Sequence, residues 1–230
     1  MSRSRKKQNF FEQHDFSLET CPLCHQTSCE AYSQDKRRPY LQCTHCSLVF
    51  VPKAFYLTSE QEKAEYDLHQ NAFDDDGYRA FLSRSFDPVI ERVKANACGL
   101  DFGCGPGPVL ASMFEDAGYS MKLYDIFYHP DTSVLSDHYD FVTCTEVIEH
   151  VSDPASVIPL LFGLLKSDGV LAMMTKRVID QTAFKSWHYK NDQTHICFYS
   201  KETFEWIASK FEMSCEFIGD DVVIFSNSFS

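Results

Sequence analysis

The chain has 230 residues, 44% of them apolar, and a formal net charge of −12. That is enough for one main domain with a small appendage and a proper core. No run approaches the length of a membrane span, and the basic start has no apolar stretch behind it. The reading is therefore a cytoplasmic chain without a membrane partner. Arg3, Arg5, Lys6 and Lys7 crowd into the first nine residues, so the body is more acidic still and long nucleic acid is disfavoured as a substrate. Nothing in the sequence speaks to oligomeric state.

Residues 1–17 read as a disordered basic tail. Ten cysteines in a chain without an export signal point to a reducing compartment and to metal rather than disulfides. Cys21-Pro22-Leu23-Cys24 and Cys43-Thr44-His45-Cys46 are two C-x-x-C knuckles with eighteen residues between them. Each knuckle can place two thiolates on one tetrahedral ion, so the spacing predicts a zinc ribbon over 18–55. Its structural Zn2+ would be held by Cys21, Cys24, Cys43 and Cys46. His25 and Cys29 stand near enough to substitute, although the paired knuckles need neither. The other cysteines read as small buried apolar residues. Tyr40, Leu41 and Leu48-Val49-Phe50-Val51 would supply the ribbon's strands. So small a unit draws much of its folding energy from the metal.

A helical cover is expected over 56–95. Thr58-Ser59-Glu60-Gln61-Glu62 starts a helix with polar capping residues, running to about Asn71. Asp74-Asp75-Asp76-Gly77 breaks it, and a second helix carries Tyr78, Phe81, Leu82, Phe86, Val89, Ile90 and Val93. From residue 96 onward strand and helix alternate. Strands are expected near 98–102, 121–125, 132–135, 139–144, 169–175, 211–218 and 221–226, and helices near 108–117, 154–165 and 201–210. The predicted fold is α/β: a Rossmann-like, seven-stranded, mostly parallel sheet with helices on both faces, preceded by the ribbon. Only fourteen residues separate Asp125 from Asp140, so the usual helix there is nearly absent and the strand at 132–135 is short.

The most informative stretch is Leu100-Asp101-Phe102-Gly103-Cys104-Gly105-Pro106-Gly107, between the first strand of that sheet and a helix. Its glycines let the backbone turn sharply and let a ligand approach closely. The helix start offers unpaired N–H groups to a carboxylate or phosphate. Asp101 argues against phosphate, because a carboxylate at the strand tip repels a pyrophosphate and attracts a cation. The spacing is G-x-G-x-G, where a dinucleotide fingerprint wants G-x-G-x-x-G. A ligand with a carboxylate, an ammonium and a sulfonium but no phosphate fits both observations: S-adenosylmethionine.

With Thr145-Glu146-Val147-Ile148-Glu149-His150-Val151, this loop resembles the class I S-adenosylmethionine-dependent methyltransferases, and within them the small-molecule and quinone-type branch. The likeness covers roughly residues 96 to 226. It implies that Asp125, about twenty residues beyond the loop, accepts the ribose hydroxyls. It also implies cofactor contacts from Asp101, Gly103, Gly105, Gly107, Ile126, Thr145 and Glu146. Helices before the first strand commonly cover the cofactor in this family, so Tyr66, His69 and Tyr78 either face the ligand or pack between helix and sheet. In quinone O-methyltransferases a triplet such as Glu146, Glu149 and His150 can hold a divalent cation. The other reading of that triplet is caps on backbone amides and a packed histidine.

Thr175 to Tyr199 shows neither helical nor strand periodicity and reads as an acceptor lid. Trp187, Tyr189 and Asp192 are its expected substrate contacts. His195 is the candidate base, because imidazole titrates near neutral pH, and His150 is the second candidate. The leading function is methyl transfer to a small-molecule acceptor, a sugar or other metabolite. Proteins similar to this one often join such a ribbon, including Cys46-Ser47-Leu48-Val49-Phe50, to such a domain. The alternatives are an RNA methyltransferase whose ribbon docks substrate, and a non-catalytic cofactor-binding interaction protein.

Overall fold

Near-continuous apolar runs in the strands that follow residue 97 build the central sheet and bury both of its faces. In the computed structural model, which describes residues 9–68 and 75–227, the elements follow in chain order. Helix α1 (Phe10–Gln13) precedes the ribbon strands β1 (Cys29–Gln34), β2 (Pro39–Cys43) and β3 (Val49–Phe50). The cover is α2 (Ser59–Tyr66) and α3 (Asp76–Ile90). Then come β4 (Cys98–Phe102), α4 (Val109–Asp116), β5 (Ser120–Tyr124), β6 (Tyr139–Thr145), α5 (Pro154–Gly163) and β7 (Leu165–Met174). Helix α6 (Gln181–Ser186) and β8 (Cys197–Phe198) lie in the expected lid, and α7 (Lys201–Lys210), β9 (Met213–Ile218) and β10 (Val222–Asn227) complete the chain.

The main sheet has six strands in the order β5-β4-β6-β7-β10-β9. Strands β5, β4, β6 and β7 run parallel, while β10 and β9 are antiparallel additions at one side. The α/β class is as the sequence predicts, with one strand fewer. Residues Thr132–Ser136 form a 3-10 turn instead of the expected strand. A further parallel strand needs a crossover of a dozen or so residues, and the turn after β5 already consumes part of the short interval. The lid likewise departs from expectation. It holds α6, a 3-10 turn (His188–Asn191) and β8, each too short to leave a periodic signature.

Successive residues of β7 point to opposite faces. Val170, Ala172 and Met174 join a core with Val109, Phe114 and Phe141, beneath α3 and α4. Leu171 and Met173 join the other core, with Leu161 of α5 and Phe204 and Ile207 of α7. That second core continues without a break into Tyr40, Leu41, Leu48, Val49, Phe50 and Val51 of the ribbon. The ribbon is thus not a separate unit, and β8 extends its sheet as a fourth strand paired with β3.

The tail is also shorter than expected. Phe10 is buried, lies edge-on to the Phe55 ring at 5.4 Å, and its N–H donates to Gln34 Oε1. Residues 9–17, with three phenylalanines among them, therefore pack on the ribbon. The basic residues 1–8, and His69 of the expected cover, lie outside the described residues. Helix α2 begins with a capping box. Thr58 Oγ1 accepts from Gln61 N–H, and Gln61 Oε1 accepts from Thr58 N–H. No helix among the described residues is long and apolar enough to cross a membrane.

Candidate active site

A cavity of about 710 Å3 opens at the carboxyl ends of β4, β5 and β6, roofed by α2 and α3. That is where an open α/β sheet binds its ligand, and the volume is that of a small-molecule site. One wall is the glycine loop. Gly103 has φ +78°, and a Cβ there would stand 2.3 Å from Val147 Cγ2. Only glycine fits that close approach. Gly105, at φ +65°, makes the second left-handed turn.

The loop is tied to the end of β5 by backbone. Gly103 and Cys104 N–H both donate to the Tyr124 carbonyl, at 2.7 and 3.2 Å, and Gly105 N–H donates to Asp125 Oδ2 at 3.1 Å. Asp125 Oδ1 accepts from Phe127 and Tyr128 N–H at 2.8 and 3.0 Å. Its carboxylate is therefore fixed in place at the cavity wall, beside Gly103, Gly105 and the exposed Ile126. Asp101 and Gly107 do not line the cavity. Asp101 is buried behind the loop, where Oδ1 accepts from the Thr143 hydroxyl at 2.7 Å. Burial, with Asp125 nearby, pushes its carboxyl up to about 6.

The opposite wall is assembled from distant segments. Thr145 and Glu146 line it, and Glu146 adopts φ +52°, a strained value for a residue with a side chain. Its N–H donates to the Met174 carbonyl at 2.7 Å. After this turn only Ile148–His150 is helical, as a 3-10 turn, so Glu146, Glu149 and His150 do not share one helical face. Glu146 swings toward Tyr189 instead. The Tyr189 hydroxyl lies between Glu146 Oε2, at 3.2 Å, and Glu149 Oε1, and meets Thr175 Oγ1 at 3.1 Å. Burial raises both carboxyls above the usual range, Glu149 further because Glu146 stands beside it. Glu146 Oε1 and Glu149 Oε2 have no hydrogen-bond partner among the described residues.

Glu149, His150 and His195 each offer a ligand atom within 4.8 Å of the others. A cation here would take His195 where the sequence pointed to Glu146. His195 Nδ1 lies 2.7 Å from the Tyr189 carbonyl, which can only accept, so Nδ1 carries a proton, and in the neutral ring Nε2 holds the lone pair. Nε2 is 3.7 Å from Asp192 Oδ2. His195 and Asp192 both line the cavity, as do His150, Tyr66 and Tyr78. Tyr66 lies edge-on to His150 at 5.3 Å.

Trp187 and Tyr189 are not on the wall. Trp187 packs among Phe184, Tyr189 and Phe198, and Tyr189 is buried by its bonds to the two glutamates. Both support the site from behind, since an aromatic-rich lid of short elements buries its rings against the ribbon. Sequence reasoning missed Tyr56, Glu62 and Val151, which also line the cavity. Only Glu62 had a signal, four residues before Tyr66 on one helical face.

In the ribbon, the four sulfurs of Cys21, Cys24, Cys43 and Cys46 lie within 4.8 Å of one another. The Cys21–Cys46 and Cys24–Cys43 pairs are 3.5 and 3.4 Å apart. Tetrahedral zinc with bonds of about 2.3 Å needs sulfurs about 3.8 Å apart, so the set fits the ion. Both knuckles turn alike. His25 and Ser47 are left-handed, at φ +59° and +61°, and their N–H groups donate to Cys21 and Cys43 carbonyls. Neither His25 nor Cys29 belongs to the cluster.

A family model for a methyltransferase domain matches residues 73–215. The ubiquinone biosynthesis O-methyltransferase of Actinobacillus pleuropneumoniae serotype 7 (strain AP76) is 35% identical over 91 residues, covering 38% of this chain and 39% of that protein. The match thus spans well under half of that relative's length. The crystal structure of Burkholderia thailandensis 1,6-didemethyltoxoflavin-N1-methyltransferase is 11% identical, with a TM-score of 0.49 over 85% of this chain and 97% of that one. A chain from the complex of the Haloferax volcanii Trm112 methyltransferase activator with a methyltransferase gives a TM-score of 0.50 at 11% identity, over 74% and 97%. That last likeness is one of fold.

Proposed function

Because the chain belongs to the methyltransferase-domain family, we propose that it transfers a methyl group from S-adenosylmethionine to a small-molecule acceptor, a sugar or other metabolite. The observation that carries this reading is the Asp125 carboxylate, held by three backbone N–H groups at the cavity wall beside Gly103 and Gly105. When bound, the cofactor supplies an electrophilic methyl on a sulfonium. Asp125 would accept the ribose hydroxyls, the Gly103–Gly105 backbone would face the amino-acid end, and Ile126, Thr145 and Glu146 would complete the contacts. Asp101, set behind the loop, would act by shaping it and by its charge.

His195 would serve as base through Nε2, with Nδ1 fixed by the Tyr189 carbonyl. Asp192 would favour the imidazolium that results. The acidic body remains the argument against a polyanionic acceptor. Titration with S-adenosylhomocysteine tests the cofactor assignment, and equal binding of NAD refutes it.

A second reading, on the clustering of Glu149, His150 and His195, gives that site a divalent cation which orients the acceptor oxygen. Magnesium or a chelator should then change turnover, and a rate indifferent to both excludes it. The ribbon cysteines would hold one structural zinc per chain, which elemental analysis measures.

A further inference from the structure

We propose that Arg38, in the turn between β1 and β2 of the ribbon, is a positioning residue for the acceptor side of the cleft; this rests on reading residues 188–196 as the acceptor lid. Arg38 is only 3% exposed. Its Nη1 donates to the Gln193 carbonyl at 2.8 Å, and its Nη2 to the carbonyls of Asp192 and Lys190 at 2.7 and 3.1 Å. Arg37 Nη2 donates to the carbonyl between them, Asn191, at 2.9 Å. Four successive lid carbonyls are thus capped by two adjacent arginines of the ribbon.

The arginines are themselves held. Asp35 Oδ1 accepts from Arg37 and Arg38 N–H at 2.6 and 3.0 Å. Asp35 Oδ2 accepts from the Tyr40 hydroxyl at 2.7 Å, and that hydroxyl oxygen accepts from Arg38 Nε at 3.2 Å. Every direct acceptor of the Arg38 side chain is uncharged. Burying a guanidinium that reaches a carboxylate, Asp35, only through the Tyr40 hydroxyl is a costly way to gain stability, where an apolar residue would serve as well or better. What the planar fork provides is geometry, because it spans several acceptors that an ammonium cannot reach together.

The other edge of the same strip faces the cleft. Asp192, Gln193, Thr194, His195 and Ile196 all line the cavity. Just beyond the arginine clamp, the Ile196 carbonyl accepts from Val51 N–H of the ribbon, and Ile196 N–H donates to the Glu149 carbonyl. The ribbon therefore grips the lid at both ends of the segment that presents Asp192 and His195. Its task in this chain is to set the acceptor wall.

The test is amide hydrogen exchange on the zinc-loaded full chain, with S-adenosylhomocysteine titration alongside. In Arg38→Ala, exchange over 188–196 should quicken by about tenfold or more while β4 to β7 stay protected. Affinity for S-adenosylhomocysteine should change by less than about twofold. Guanidinium ion at low millimolar concentration should restore the protection, and urea at the same concentration should not. Unchanged exchange over 188–196, a rise spread over the whole sheet, or failure of guanidinium to rescue would each overturn the proposal. Should Arg38→Ala not fold, Arg38→Lys decides: loosening confined to the lid supports the fork, and full protection refutes it. If neither protein binds S-adenosylhomocysteine, the cofactor reading falls while the lid result stands.

Discussion

The wall assigned to the cofactor comes mainly from two short segments, 102–106 and 124–128, joined by backbone hydrogen bonds to Tyr124 and Asp125. The wall assigned to the acceptor draws on residues 56–66, 150–151 and 192–196, and its lid is fixed by ribbon residues about 150 positions away in sequence. The first wall can be specified by a local motif, because glycine conformations and one acid suffice. The second exists only when distant parts of the core have packed. A change in the ribbon should therefore be felt on the acceptor side, and a change at Asp125 on the cofactor side.

The largest effect should follow from breaking the ribbon. Structural zinc contributes on the order of 10 kcal/mol of folding energy in small domains, and here the ribbon's apolar residues belong to the same core as Leu171 and Phe225. Cys43→Ser should lose the metal and lower the melting temperature of the whole chain in a single transition. A sheet domain that melts as before, with only residues 18–55 open to protease, would show that the two regions are independent.

Asp125→Ala comes next. Removing a charged acceptor of two hydroxyls should cost about 3 kcal/mol, roughly a hundredfold in affinity for S-adenosylhomocysteine by calorimetry. Protection of residues 188–196 should not change. If the lid loosened as well, the two walls would not be separable.

His195→Asn probes the acceptor wall with little structural cost, since its amide can still donate to the Tyr189 carbonyl but offers no base. With an acceptor found by screening, turnover should fall by about a hundredfold, the usual scale for general-base loss, at unchanged cofactor affinity. Loss of both together, with a lowered melting temperature, would leave His195 only a structural role.

The smallest effect concerns Asp101. Burial raises its carboxyl to about 6 in the folded chain, against about 3.9 unfolded. The stability held by the neutral form is fully present below about pH 4 and is lost as pH rises through 6. Asp101→Asn cannot ionise and should keep it. The ligand-free variant should be more stable than the parent at pH 7, by at most about 3 kcal/mol, with the gap closing near pH 4. Parallel pH profiles would mean that Asp101 is not buried as charge.

Legibility in the sequence follows the same division. The glycine loop, Asp125, the knuckle cysteines and the strands that carry them are local patterns, and the structure places Gly103, Gly105, Asp125 and Ile126 on one wall. The glutamate–histidine triplet stayed open between a cation site and packing, because a left-handed Glu146 is not visible in helical spacing. Trp187 and Tyr189 misled because aromatic side chains in a lid signal packing as readily as contact. The strand at 132–135 failed on chain length. Arg38 left no local trace, since its partners are backbone carbonyls of a remote segment.

The most direct measurement is a calorimetric titration of the full chain with S-adenosylhomocysteine and, separately, with NAD. One site of micromolar affinity for S-adenosylhomocysteine, with no heat from NAD, is the expected result. Equal binding of NAD, or no binding of S-adenosylhomocysteine to the folded, zinc-loaded chain, would contradict the assignment of the cleft.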